Sequence, residues 1–260
     1  MRAVSVHPDV IVVTSAIWQT TCTVVRGGGE AFVIDSPVLP EELEALPSVV
    51  EQLGFTFAGL LATHADWDHL LGRLAFPGAA LGCAETSAAR LAAEPGAAQR
   101  ELRAFDESHY VFRPAPLALG DIQALPVPGH CDLGERSLEL HPAVGHTADG
   151  MAVWAEWAGV LVCGDYLSPV EIPMISEGGS AEAYRTTLEG LREVVAQAAW
   201  VIPGHGDPVE GEKAVVVLEE DLAYLEALGT KGDGAPLPAR RDGPEQRRIH
   251  KGNVARMQHA

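Results

Sequence analysis

Runs of apolar, β-branched residues dominate the beginning of the chain. Three of them, Val10–Ile17, Thr21–Val25 and Ala31–Ile34, follow one another closely, and the glycines at 27–29 separate the last two. Short runs of this kind joined by a glycine turn are typical of antiparallel strands. A phosphate-binding loop is disfavoured, because such a loop opens a helix and a strand-like segment follows these glycines. The pattern therefore predicts a meander with a glycine hairpin.

Beyond this meander the apolar periodicity alternates between the helical and the strand type. Helices are predicted at Glu41–Leu53, Ala84–Ala93, Ala181–Ala198 and about Lys213–Leu228, and strands at Thr56–Ala62, Ala79–Cys83, Ser137–Leu140, Met151–Trp157, Val160–Cys163 and Trp200–Ile202. The two strands that meet at Ala158-Gly159 are expected to form a hairpin. Hairpins interleaved with helices favour an α/β fold with mixed sheets over a doubly wound parallel sheet.

The character of the sequence changes after Leu228. Residues 229–260 are rich in glycine and proline and contain five arginines. We expect a loosely held tail there. The predicted organisation is one domain over residues 1–228, without internal repeats, followed by a C-terminal tail over residues 229–260.

Composition narrows the class of protein. The chain has 260 residues, 47% of them hydrophobic, and a formal net charge of −18. This hydrophobic share is typical of a soluble globular protein. Nucleic acid is a poor partner for so acidic a chain, because its phosphates require clustered cations. We therefore predict a small-molecule substrate and no nucleic-acid partner, and leave the oligomeric state open.

The cysteines and the N-terminus bear on the compartment. The four cysteines are widely spaced and form no C-x-x-C pair, so neither a zinc finger nor a redox dithiol is indicated. The apolar run at residues 10–13 is too short for a signal peptide or a membrane-spanning helix. A reducing cytoplasm and the absence of a membrane partner are the resulting expectations.

Four potential metal ligands follow the predicted strand Thr56–Ala62. They are His64, Asp66, Asp68 and His69. Because alternate side chains point the same way as a chain leaves a strand, His64 and Asp66 can converge on one ion. A helix beginning near Asp68 would turn Asp68 and His69 toward a second ion. The alternative is a helix N-terminus capped by Asp68, but it leaves this density of ligand residue types unexplained.

Three further potential ligands stand at predicted strand ends, each beside a glycine. His146 lies in the sequence Gly-His-Thr, Asp165 follows Gly164, and His205 lies in Pro-Gly-His-Gly. Glycine lets the backbone approach a site closely. The joint pattern of all seven residues is far more specific than any of its parts.

In this order the residues resemble the motif of the metallo-β-lactamase superfamily, H-x-H-x-D-H followed by a histidine, a bridging aspartate and a final histidine. The resemblance extends from about Val10 to Leu228. It implies an αββα sandwich, in which two mixed β-sheets are flanked by helices and hold two divalent metal ions at their edge. It also implies a first site of His64, Asp66 and His146, a second site of Asp68, His69 and His205, and Asp165 as the ligand of both ions.

Asp66 departs from the family motif, which usually has histidine at this position. A carboxylate is a harder, anionic ligand, so it shifts the preference from zinc toward iron or manganese without excluding zinc. Three carboxylates around two divalent ions leave a charge of +1, whereas the usual two leave +2. Weaker Lewis acidity is therefore expected. The diiron oxidoreductases of the superfamily carry a glutamate here, which also favours iron.

Other residues receive supporting roles or are rejected. Asp35 matches a family aspartate that supports the metal-binding loop, although it could simply cap a turn. His130 has a Pro-Gly-His context, but His146 fits the family pattern better, so His130 is rejected as a ligand. The walls of the substrate site are expected to include Trp18, Trp67 and the apolar segment 166–175, which lacks lysine and arginine and so favours a neutral or apolar substrate.

These observations predict a metal-dependent hydrolase of a small-molecule ester, thioester or lactone. Asp68 is expected to orient the nucleophile and pass a proton to the leaving group, and Tyr166 to donate to the oxyanion. One alternative, an iron-dependent oxidoreductase, is opposed by the lack of room for a flavin domain. The other, a non-catalytic metal-binding protein, is opposed by the presence of all seven ligand residues.

Overall fold

The computed structural model describes residues 1–258. The strands are β1 (Arg2–His7), β2 (Val10–Thr14), β3 (Thr21–Gly27), β4 (Glu30–Asp35), β5 (Thr56–Leu61), β6 (Leu81–Ala84), β7 (Ile122–Leu125), β8 (Gly129–Leu133), β9 (Arg136–Pro142), β10 (Met151–Ala155), β11 (Val160–Val162), β12 (Trp200–Ile202) and β13 (Val209–Glu210). The helices are α1 (Pro40–Gln52), α2 (Gly72–Ala75), α3 (Glu85–Ala93), α4 (Ala97–His109), α5 (Ala181–Gln197), α6 (Gly211–Lys231) and α7 (Pro244–Met257). None of these helices combines the length and the apolar character that crossing a membrane requires.

The strands form two mixed sheets. In the first, β1 to β7 lie side by side in chain order, antiparallel from β1 to β4 and parallel from β4 to β7. The second has the order β13-β12-β11-β10-β9-β8, and its only parallel pair among the described residues is β11 with β12. The predicted meander and the predicted hairpin at Gly159 are both present.

Three apolar cores hold four layers together. One lies between the sheets, the second between the first sheet and helices that include α1 and α4, and the third between the second sheet and α5, α6 and α7. Strand β2 shows the arrangement: Val10 and Val12 face the other sheet, whereas Ile11 and Val13 face the helices. Because both faces of β2 are buried, its first four residues are all apolar. The predicted αββα sandwich is confirmed.

The elements that sequence analysis missed have few buried side chains. Strand β1 lies at an edge and its first four residues are exposed, and most residues of β7 and β8 are exposed or half-buried. Helix α4 buries three side chains in an otherwise polar sequence, those of Ala98, Leu102 and Phe105. Apolar periodicity is weak in such elements, so it could not indicate them.

The expectation of a loosely held tail is wrong for the described part of residues 229–260. Helix α6 continues past the predicted boundary at Leu228, to Lys231, and α7 buries Ile249, His250 and Asn253. The amide of Asn253 donates to the carbonyl of Pro173 at 2.7 Å, which fastens α7 to the domain. The composition of this region did not indicate such packing, because polar side chains make many of the contacts. His259 and Ala260 lie outside the described residues.

Arg241 fastens the same region from a position just before α7. It is 2% exposed, and its guanidinium donates to the carboxylate of Asp221 at 2.6 Å and of Glu220 at 2.9 Å. It also donates to the carbonyls of Ser168 and Glu171, at 3.2 and 2.8 Å. Burial raises the pKa of Asp221 to about 7, and the charge of Arg241 limits that rise. The C-terminal region is thereby bonded to the segment that follows Asp165.

Replacing Arg241 should destabilise the fold. We expect Arg241→Met to lower the free energy of unfolding by about 3–5 kcal/mol, because it leaves the carboxylate of Asp221 buried without its partner. Urea denaturation followed by circular dichroism measures the loss. Arg247→Met is the control, since Arg247 pairs with Asp242 at the exposed surface and its loss should leave the midpoint unchanged. Equal midpoints for both variants would contradict this prediction.

Candidate metal centre

The ends of strands from both sheets bring the seven predicted ligand residues together. The segment after β5 carries four of them. A short 3₁₀ turn over Trp67–His69 changes the course of the chain, so the side chains of the first two and of the last two point in different directions. The other three come from the second sheet: His146 precedes β10, Asp165 follows β11, and His205 follows β12. Where a helix was expected to begin near Asp68, the chain forms a 3₁₀ turn of three residues.

Two groups of side chains form within this cluster. In each group, one candidate ligand atom per residue lies within 4.8 Å of the others; the groups are His64, Asp66 and His146, and Asp68, His69 and His205, and a third set that meets the same criterion, His64, His69 and Asp165, joins the two. This grouping is the one that the family resemblance implies for two ions. Their role as metal ligands remains a prediction that the geometry supports.

Asp165 lies between the two groups. Its Oδ2 is 3.3 Å from Nε2 of His146 in the first group and 3.4 Å from Nε2 of His205 in the second. Its Oδ1 is 3.2 Å from Nε2 of His69. One carboxylate therefore reaches both groups, as a shared ligand must.

The spacing of the donor atoms suits divalent ions. Atoms held 2.0–2.1 Å from one tetrahedral ion are about 3.4 Å apart. Nε2 of His146 is 3.3 Å from Oδ2 of Asp66, and Nε2 of His205 is 3.5 Å from Oδ2 of Asp68. Among the described residues, Nε2 of His64 and of His69 and Oδ1 of Asp165 are buried without a hydrogen-bond partner. Buried polar atoms rarely lack a partner, so these atoms fit a pair of metal ions.

Contacts at Nδ1 aim the four histidines at the centre. Nδ1 contacts Thr63 Oγ1 in His64 at 3.1 Å, the Met174 carbonyl in His146 at 2.8 Å and the Trp18 carbonyl in His205 at 3.2 Å. Nδ1 of His69 lies 3.0 Å from Asp35 Oδ2, an ion-pair contact without hydrogen-bond geometry. An acceptor at Nδ1 fixes the tautomer that leaves the Nε2 lone pair free for a metal. The centre therefore has a set of outer contacts as well as ligands.

Asp35 organises two of these contacts. Its carboxylate accepts hydrogen bonds from the backbone N–H and the hydroxyl of Thr63, both at 2.8 Å. The same carboxylate lies against His69. Asp35 thus supports the loop that carries the first four ligands, in the position that the sequence resemblance implies.

The carboxylates make the centre attractive to cations. Burial opposes protonation of His146 and His205, but Asp165 and its neighbours outweigh it and raise the pKa of His146 to about 9 and that of His205 to about 10. Burial also opposes ionisation of Asp165, yet the surrounding histidines hold the pKa of its carboxyl well below the usual range. Protons and metal ions therefore compete for the same Nε2 atoms.

Gly204 has a steric role in the Pro-Gly-His sequence. A Cβ atom at this position would overlap Oδ1 of Asp165 and lie 3.0 Å from Cε1 of His69. Only glycine leaves the shared carboxylate its place, which explains the glycine beside His205.

Sequence analysis missed Arg90 and Asp149. Nη1 of Arg90, on α3, donates to Oδ1 of Asp66 at 2.8 Å and to Oδ1 of Asp149 at 2.9 Å. Because Arg90 binds both Asp66 and Asp149, its positive charge reduces the negative charge that Asp66 adds to the centre, and the charge count made from the ligands alone did not include it. A partly buried carboxylate such as that of Asp66 needs a positively charged partner, but the sequence does not indicate which arginine lies close enough to bind it.

Tyr166 and His130 lie away from the open side of the centre. The hydroxyl of Tyr166 accepts a hydrogen bond from the backbone N–H of His146 at 3.1 Å, and burial raises the pKa of this phenol. Tyr166 therefore positions the His146 loop, and the geometry gives no support to its predicted role as an oxyanion donor. His130 is exposed on β8 and belongs to neither ligand group, in agreement with its rejection.

An open cleft of about 240 Å³ leads to the cluster. Its lining comprises Trp18, Asp66, Trp67, Asp68, Glu101, Asp165, Glu171, Met174, His205, Glu245, Arg248 and Ile249. From the segment 166–175, only Glu171 and Met174 are among these lining residues, because Leu167, Ile172 and Ile175 pack into the core. Helix α7 supplies the last three lining residues, so the C-terminal region forms part of the site.

Comparison with known proteins gives a consistent result. The sequence profile of the metallo-beta-lactamase superfamily matches residues 16–205. A hydroxyacylglutathione hydrolase from Methylococcus capsulatus is 28% identical over 219 residues, which cover 82% of this chain and 74% of that protein.

Solved structures show the same fold. A metallo-beta-lactamase family protein from Thermus thermophilus superposes with a TM-score of 0.68 at 19% identity, covering 87% of this chain and 82% of the other. An inverting sec-alkylsulfatase from Pseudomonas sp. has a TM-score of 0.75 at 14% identity, with coverage of 98% of this chain and 49% of the other.

Loss of the shared carboxylate should affect both groups of ligands. We expect wild-type protein to bind about two divalent ions and Asp165→Asn to bind fewer than one, because Asp165 contacts both groups. Elemental analysis by mass spectrometry gives the metal content, and the thermal midpoint reports folding. His130→Ala is the control and should bind as many ions as the wild type. An Asp165→Asn protein that keeps two ions would refute the shared role.

Metal binding at pH 7 should release protons. The raised pKa values of His146 and His205, about 9 and about 10, mean that each ring carries a proton that an ion must displace. Calorimetric titration of chelator-treated protein in buffers of different ionisation enthalpy measures the number released, and the apparent affinity should rise from pH 7 toward pH 9. His205→Gln should release fewer protons. Heats that are independent of the buffer would contradict the expectation.

Proposed function

Because the chain belongs to the metallo-beta-lactamase superfamily, we propose that it is a hydrolase that uses two divalent ions to cleave a small-molecule ester, thioester or lactone. The observation that carries this proposal is the convergence of two ligand groups on the shared Asp165, at the floor of an open cleft. The name of the curated relatives, hydroxyacylglutathione hydrolase, denotes a thioester hydrolase and supports the same reaction class.

The chemistry divides between the ions and the chain. Bound divalent ions supply Lewis acidity, which acidifies a water molecule and polarises a carbonyl group. The residues of the chain hold this arrangement: the contacts at Nδ1 keep the histidines directed inward, and Tyr166 fixes the His146 loop. Trp18 and Trp67 line the cleft with apolar surface, which limits the access of bulk water to the reacting groups.

In this proposal, Asp68 is the residue that moves protons. It lines the cleft, and its Oδ2 is 3.5 Å from Nε2 of His205 and 3.7 Å from Nε2 of His69. A carboxylate oxygen there can receive a proton from the attacking water and return it to the leaving group. Ser36 holds the backbone of this residue by donating to its carbonyl at 3.1 Å, so its position is fixed.

The charges of the cleft favour a neutral substrate. Apart from the ligand residues, its charged side chains are Glu101, Glu171, Glu245 and Arg248. Nε of Arg248 donates to both carboxylate oxygens of Glu245 at 3.0 Å, so this cation is already paired. Within the described part of the chain, the lining therefore offers no unpaired arginine or lysine for a carboxylate or phosphate group of a substrate.

The alternative of an iron-dependent oxidoreductase rested on the acidic residue at position 66, where the diiron oxidoreductases of the superfamily carry a glutamate. Arg90 binds one oxygen of this carboxylate and reduces its negative charge, which weakens the argument for iron. No observation on the described residues favours a redox reaction over hydrolysis.

Matched substrates test the proposal. We expect a neutral thioester to be hydrolysed with a kcat/KM about tenfold above that of a thioester with the same acyl group and a carboxylate on the thiol side. The acidic lining repels the second substrate, and salt should reduce the difference by screening. Lactones and oxygen esters extend the panel, and Asp165→Asn is the inactive control. If wild-type protein with two ions bound cleaves nothing in the panel, the hydrolase proposal fails.

A further inference from the structure

The two carboxylate oxygens of Asp66 have different partners. Its Oδ2 faces the metal centre, 3.3 Å from Nε2 of His146 and 3.7 Å from Nε2 of His64. Its Oδ1 turns away and accepts a hydrogen bond from Nη1 of Arg90 at 2.8 Å. One oxygen of this aspartate is therefore available to an ion, and the other is occupied.

Arg90 is itself held in place by the loop that carries the ligands. The same Nη1 donates to Oδ1 of Asp149 at 2.9 Å, and Oδ2 of Asp149 accepts the backbone N–H of Ala65 at 2.9 Å. Ala65 stands between His64 and Asp66 in the chain. The side chain of Asp149 is almost fully buried and that of Arg90 is 24% exposed, so solvent screens these contacts only in part.

We propose that Arg90 is a positioning residue of the metal centre, which makes Asp66 equivalent to the histidine of the usual motif. A metal-ligating histidine supplies one nitrogen and no charge. Asp66 bonded to Arg90 also supplies one oxygen, and the charge of Arg90, which Asp149 shares, partly neutralises that of Asp66. This inference rests on the proposed metal-dependent function, and it goes beyond that function by assigning Arg90 control over which ion the first group prefers.

The chemistry of the ligands predicts how the loss of Arg90 should change the metal preference. Without the guanidinium, both oxygens of Asp66 are free and its negative charge is no longer balanced. An anionic carboxylate with two available oxygens suits manganese, whereas a neutral single donor suits zinc. Removing Arg90 should therefore lower the affinity for zinc relative to manganese, instead of weakening both equally.

A cycle of four proteins tests this inference: the wild type, Arg90→Met, Asp66→His and the double variant. Competition with a chelator of known affinity measures zinc and manganese binding to metal-stripped protein. We expect Arg90→Met to shift the ratio of the two affinities toward manganese by about tenfold in the wild-type background. In the Asp66→His background the shift should be less than about twofold, because the carboxylate that Arg90 restrains is absent.

Two further variants separate charge from folding. Arg90→Lys keeps the positive charge and should retain most of the zinc preference, and Arg90→Gln replaces Arg90→Met if the latter does not fold. Arg113→Met is the matched control, since Arg113 is a largely buried arginine that binds both carboxylate oxygens of Asp106 and contacts no predicted ligand. It should leave the ratio unchanged.

The outcomes distinguish this inference from the proposed function. A shift of the same size in both backgrounds would show that Arg90 acts only by fixing the loop through Asp149, and would overturn the inference. An unchanged ratio in Arg90→Met would overturn it as well. In both cases a wild-type protein that binds two ions and hydrolyses esters leaves the proposed function intact, whereas a wild type that binds no ions would refute the proposed function itself.

Discussion

The packing of seven ionisable side chains into one small volume, with five of these residues buried and Asp66 and Asp165 partly buried, is the constraint on which this structure depends. Such groups are costly away from water unless each has a partner of opposite charge or a hydrogen bond. Here Asp165 neutralises histidines from both groups, and Asp35 and backbone carbonyls occupy the outer ring nitrogens. These contacts satisfy the cluster from outside and leave its inner atoms directed at one another, which is the arrangement that divalent cations complete.

The sandwich supplies the strand ends, but the C-terminal region fixes the wall of the site. Arg241 binds the carbonyls of two residues in the segment 168–175, and Asn253 binds the residues on either side of Met174. The carbonyl of Met174 is in turn the partner of Nδ1 of His146. A chain of direct contacts therefore leads from α7 to a predicted ligand, and this explains why a region of polar composition is packed so firmly.

Local and long-range features differed in how well they could be predicted. The residues from His64 to His69 and those at the other strand ends could be identified from sequence because residue type, spacing and strand boundaries are local properties. The direction of the Tyr166 side chain could not be predicted from sequence, because its ring packs on the distant Tyr184 of α5, with ring centroids 4.4 Å apart. Helix α7 was missed for a related reason. An asparagine such as the buried Asn253 is expected at the surface as long as its partners are unknown.

The change from histidine to aspartate at position 66 shows why a single substitution in a motif is a weak guide to chemistry. Taken alone, Asp66 adds a negative charge to the centre. With Nη1 of Arg90 2.8 Å from its Oδ1, Asp66 has one available oxygen, and its charge is partly neutralised. A metal ion responds to the electrostatic field and to the number of donor atoms at its position. The residues that bind its ligands affect both. The unit that corresponds to the family's histidine is therefore the pair of Asp66 and Arg90.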